Sequence, residues 1–100
     1  MNQVLVAAVE AVLFVTDRAD DRADDRAVHE RMLDEALMRM AVTAARRRVV
    51  ALADQPELGA RWQVRVTPCL VLDIGSRQVH LPGDLARLDP ARLEQALSTR

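Results

Sequence analysis

One thiol and two imidazoles are the natural starting points for chemistry in this chain. Cys69 follows directly on Thr67-Pro68 and is the only cysteine. A single thiol allows no internal disulfide, no CxxC pair and no framework of metal thiolates. A reactive cysteine also needs a cation, a metal or a helix N-terminus to stabilise its thiolate. The chain contains no Lys, and no neighbouring element is read as bringing His to Cys69. Free cysteine is among the most often buried side chains, so an inert core thiol is the better reading. His29, His80 and Cys69 fall on separate elements, which argues against a metal site. Gly59, Gly75 and Gly83 are too scattered to form a phosphate-binding loop. The sequence therefore shows no catalytic, cofactor or metal site.

Composition narrows the partners. A formal net charge of −1 argues against a nucleic-acid surface or an anionic-membrane anchor, even with Arg46-Arg47-Arg48 in view. Glu10 interrupts the early apolar run, no basic segment precedes it, and no stretch approaches the ~20 apolar residues of a membrane span. These features point to a cytoplasmic protein. Half of the 100 residues are hydrophobic, enough for one domain over residues 1–100 with one modest core. With only Phe14 and Trp62 aromatic, that core must be built from Ala, Val, Leu and Met.

The elements that must position these groups are organised around Val64–Leu72, which reads as a buried strand entered through Pro68, its run too short for a helix. A Thr67-Pro68 bond is also a candidate for the cis form. Residues 1–8 form a short lead-in. Val9–Thr16 reads as a central parallel strand. A helix follows, starting somewhere in the Asp-Arg-Ala-Asp repeats of residues 17–25, with Ala19, Ala23 and Ala27 toward the sheet. Met32, Leu33, Ala36, Leu37, Met40 and Ala41 recur at helical spacing, which carries the helix to Ala45. His29 is read as exposed near its charged end. The Arg triplet would then lie at the negative end of the helix dipole. Val49–Ala53 is the second strand of a βαβ unit.

Pro56 and Glu57 suit the first turn of a two-turn helix that places Leu58 and Trp62 on one face. Asp73-Ile74-Gly75-Ser76 is a turn, and Arg77–Leu81 a returning strand on which His80 reads as structural. Asp89-Pro90 caps a last helix with Leu93, Ala96 and Leu97 inward. The order is β-α-β-α-β-β-α, an α/β arrangement with a four-stranded mixed sheet and helices on both faces. It resembles the thioredoxin-like fold, whose redox cysteines sit after the first strand. Here that position holds Asp17-Arg18-Ala19-Asp20-Asp21.

Val49-Val50 into Gln55-Pro56-Glu57-Leu58, then Val66-Thr67-Pro68-Cys69-Leu70, then Gly83-Asp84-Leu85 form an ordered series. This series resembles the KaiB family of circadian-clock proteins and the KaiB-like sensory domain of the histidine kinase SasA. The opening Val12-Leu13-Phe14-Val15-Thr16-Asp17-Arg18 is similar to the SasA-type start. Departures include Cys69 after the proline, Asp73-Ile74-Gly75-Ser76 in place of a proline-rich segment, and the Asp-Arg repeat. They favour a KaiB-like or SasA-sensor-like relative over a clock KaiB.

The resemblance implies a non-catalytic protein-interaction module, docking on a KaiC-like RecA-fold ATPase in a circadian-type or kinase-linked pathway. Gln55, Glu57, Arg61 and Trp62 are the candidate partner-binding residues, and Gly83-Asp84 with Thr67-Pro68 the candidate hinges. The Gly75-Ser76 turn suggests a thioredoxin-like state that persists rather than switches. A homo-oligomer is compatible with this reading. The alternatives are a thiol-redox protein using Cys69 and a thioredoxin-like structural or chaperone subunit.

Overall fold

Two ten-residue strands form the longest pairing of the molecule, and their length sets the rest. The computed structural model describes residues 6–16 and 23–98. Strand β1 (Val6–Val15) leads through helix α1 (Ala23–Arg39) to β2 (Val42–Ala51). Helix α2 (Pro56–Arg61), strands β3 (Cys69–Asp73) and β4 (Gln78–Pro82), a 3-10 turn at Leu85–Arg87 and helix α3 (Pro90–Ser98) complete the chain. The strands are ordered β2-β1-β3-β4. β1 is parallel to β2 and antiparallel to β3, and β3 is antiparallel to β4. The four-stranded mixed sheet and the element order agree with the sequence reading.

Side-chain alternation divides the core between the two faces of the sheet. Leu13, Leu70 and Leu81 face one way and pack with Leu33, Leu37 and Met40 of α1. Leu93 of α3 joins the same cluster. Val12, Phe14, Cys69 and Val71 face the other way, where Trp62 and Leu58 close over them. Helices thus cover both faces, with α2 on the second.

Several boundaries differ from the sequence reading. The strand expected from Val64 begins only at Cys69, after the cis Thr67–Pro68 bond, and Val66 is left exposed. β1 begins at Val6, so part of the expected lead-in is strand. α1 stops at Arg39, and Ala41 takes a φ of 58°. That left-handed residue turns the chain directly into β2. Residues 42–48 are good helix formers locally, yet each end of β1 needs a partner, and pairing from Val6↔Val42 to Val15↔Ala51 decides the matter. Arg46, Arg47 and Arg48 are consequently exposed on an edge strand, not at a helix end. Arg47 donates to Asp34 at 2.7 Å and Arg48 to Glu10 at 2.7 Å. Ala27 is exposed rather than turned to the sheet. The Asp-Arg repeat before Ala23 lies outside the described residues.

The second half closes through local polar contacts. Asp73 accepts the Gly75 amide at 2.9 Å, and Gly75 adopts a φ of 92° that a side chain would disfavour. Asp84 caps the 3-10 turn by accepting the Ala86 amide at 3.0 Å, and Asp89 caps α3 by accepting the Arg92 amide at 2.8 Å. Arg39, the last residue of α1, donates to the carbonyls of Leu85 and Leu88, each at 2.7 Å. These charge-assisted bonds tie α1 to the segment that follows β4.

His80 lies on β4 opposite Val71, on the sheet face that carries α2. Partial burial pushes its pKa below the ordinary 6.5. The unfolded chain therefore takes up a proton on this histidine at higher pH than the folded one. That difference contributes stability above the ordinary value, and it is lost as pH falls through the folded value. Urea unfolding of the wild type and His80→Gln from about pH 7.5 to about pH 5.5 should show the wild type losing more stability toward acid. Parallel curves for the two proteins would show that burial leaves His80 unperturbed.

Candidate functional site

The corner at the C-terminal end of β1 is where chemistry would be sited in a sheet of this topology. Four chain segments meet there. Val15 ends β1 and Thr16 follows it, α1 contributes His29 and Met32, and the segment before β3 contributes Pro68. Asp84 and Leu85 complete the lining of a pocket of about 220 Å³. The Thr67–Pro68 peptide bond is cis. The hydroxyls of Thr16 and Thr67 are hydrogen-bonded across the corner. The Gly83 amide donates to the Pro68 carbonyl at 2.9 Å, so both candidate hinges meet in one backbone contact.

Among the described residues, reactive groups are sparse in this corner. Its lining includes one imidazole, one carboxylate and one hydroxyl, but no thiol. The Asp84 carboxylate is already engaged in capping. Among the described residues no cluster of three or more His, Cys, Asp or Glu could hold a metal ion. His29 is half-buried and lines the pocket, where sequence reasoning placed it in solvent. Its helical position gave one signal, since it lies one turn before Met32 on the side of α1 that meets the sheet. The convergence with Pro68 and Asp84 had no sequence signal.

Cys69 does not open into this corner. It follows Pro68, but the two-residue period of β3 turns it to the opposite face, among Phe14, Trp62 and Val71. Burial pushes its thiol pKa up, and a backbone hydrogen bond from Leu81 draws it only partly back. A thiol so held is a poor nucleophile.

The other sequence-predicted residues lie around α2, on the far face of the sheet. Gln55, Glu57 and Arg61 are exposed. Trp62 ends the helix and is buried to 9% exposure, with its ring centroid 6.0 Å from that of Phe14 and the planes tilted by 57°. The indole thus anchors α2 from beneath, and the polar side chains form its outer surface. Val66, 57% exposed, extends that surface toward Thr67. The site residues therefore fall into two groups, a pocket at the end of β1 and a mixed-charge ridge on α2.

Comparison with solved structures places this arrangement. The chain matches the N-terminal domain of Synechococcus elongatus SasA, determined in solution, with a TM-score of 0.54 and 26% sequence identity. That match covers 100% of this chain and 92% of the other. A designed protein matches with a TM-score of 0.55 and 17% identity over 93% of this chain and 79% of the other, a likeness of fold alone. No protein-family model and no curated protein matches the chain.

Proposed function

We propose that this chain, which has the KaiB-like, thioredoxin-like fold of the SasA N-terminal domain, is a non-catalytic docking module. The observation that carries this reading is the pairing of an intact scaffold with a corner that lacks its thiols. Fold-level likeness alone would leave function open. The placement of Cys69 on the opposite face, among Phe14, Trp62 and Val71, supports this reading over a thiol-redox one. Likeness to a sensor domain supports a clock or signalling role, and the partner is a RecA-fold ATPase ring of the KaiC type. The module acts in the cytoplasm; among the described residues no helix is long and apolar enough to cross a membrane.

The contact surface is the outer side of α2, with Gln55, Glu57 and Arg61 at its centre and Val66 at its margin. An exposed acid and base one turn apart set a charge register for the partner and add little to the stability of the fold. Size-exclusion chromatography of the chain with a KaiC-like ATPase, in ATP and in ADP, tests the proposal. A retained complex in one nucleotide state is expected. The double reversal Glu57→Arg with Arg61→Glu should weaken it by roughly tenfold or more while leaving the circular dichroism spectrum unchanged. Absence of a complex in every nucleotide state would overturn the docking assignment.

A further inference from the structure

The outer face of α1 carries a stripe that none of the described residues covers. Val28, Arg31, Glu35 and Met38 are all exposed. Val28 is 53% exposed and Met38 81%, two of the large apolar side chains left in solvent among the described residues. The spacing is three, four and three, which is the spacing of a two-helix seam. At about 100° per residue the four side chains fall within an arc of roughly 80°. The two neighbouring charges that do have partners, Asp34 with Arg47 and Arg39 with the Leu85 and Leu88 carbonyls, lie to either side of it.

The order along the stripe is apolar, basic, acidic, apolar. Reversed end to end, it reads apolar, acidic, basic, apolar. Laid antiparallel on a copy of itself about a two-fold axis at the level of Leu33, the stripe brings Val28 onto Met38 of the copy and Arg31 onto Glu35 of the copy. Each contact then occurs twice, as a closed two-fold interface requires. A parallel, in-register pairing would oppose Arg31 to Arg31 and Glu35 to Glu35, so charge selects the antiparallel form. We infer that α1 is a self-association surface and that its occupant is a second copy of this chain. The seam spans only about 15 Å of helix, so the dimer is weak, with a dissociation constant on the order of 100 µM. It leaves α2, on the opposite face of the sheet, uncovered, which on the function proposed above makes a two-headed docking module.

Charge reversal tests the pairing without disturbing the core, because all four side chains are exposed. Sedimentation velocity of the whole chain across a concentration series should show a monomer–dimer equilibrium. Arg31→Glu alone and Glu35→Arg alone should each weaken it roughly ten- to thirtyfold, since attraction becomes repulsion at both contacts. Mixing the two single variants should restore association, as every facing pair is again opposite in sign. The double variant Arg31→Glu with Glu35→Arg should self-associate like the wild type. Monomeric wild type at millimolar concentration would overturn the inference and leave the stripe to a different protein. Self-association that persists unchanged in both single variants, or a mixture that stays monomeric, would overturn it equally.

Discussion

In native buffer Cys69 is expected to react with an aromatic disulfide reagent at least roughly 10³-fold more slowly than in denaturant. Two barriers act together. The side chain is 3% exposed and packed with Phe14, Trp62 and Val71, so a reagent reaches the sulfur only when β3 or α2 opens. Opening a core strand of a domain this size costs about 5 kcal/mol or more, which sets the factor of about 10³. Burial also raises the thiol pKa, so little thiolate is present even in the partly opened state. Measured with and without urea, the native rate should follow the unfolding equilibrium. Modification of the native protein within seconds would mean that the thiol is reachable and would return the redox reading to first place. The comparison therefore decides between a docking module and a thiol protein, and it needs no partner.

Much of this arrangement is written in local sequence, and the rest depends on contacts far apart in the chain. The short apolar run after Pro68 identifies β3 because run length and a missing amide are local properties, whereas its start at Cys69 instead of Val64 is not. The helical spacing of Leu33, Ala36, Leu37 and Met40 is equally local, and all four are buried in one cluster. The end of α1 is not local. Ala44, Ala45 and the Arg triplet are acceptable in a helix, and only the length of β1 draws them into a strand. For the same reason Arg47 and Arg48 find carboxylates on α1 and β1 that sequence spacing does not reveal. The corner pocket is the extreme case: Thr16, His29, Pro68 and Asp84 are dispersed over the chain and meet only once the sheet has formed. Trp62 was legible as an anchor on one face of α2, but its partner Phe14 lies in the first strand.

That aromatic contact carries the largest stability effect expected of a single substitution. Phe14 is 0% exposed, at the centre of the cluster beneath α2, and paired on either side with Val50 and Cys69. Phe14→Ala removes a ring from a site ringed by strand backbone, which has little freedom to collapse into the void. Such truncations cost about 3–5 kcal/mol, a large share of the ~5–15 kcal/mol that stabilises a domain. The loss should be uneven. α1 and α3 pack on the other face through Leu13, Leu70 and Leu81 and retain their contacts. α2 is six residues long and rests on Trp62, Leu58 and the ring of Phe14, so it should loosen first. Urea unfolding should show the midpoint fall, and Trp62, the only tryptophan, should report α2 by a red-shifted emission before the sheet unfolds. Phe14→Leu, which keeps most of the volume, should recover more than half of the loss. A Phe14→Ala protein whose tryptophan emission and unfolding midpoint match the wild type would show that α2 is held by something other than this contact. The ridge of Gln55, Glu57 and Arg61 would then owe its position to the connecting segments at either end of the helix.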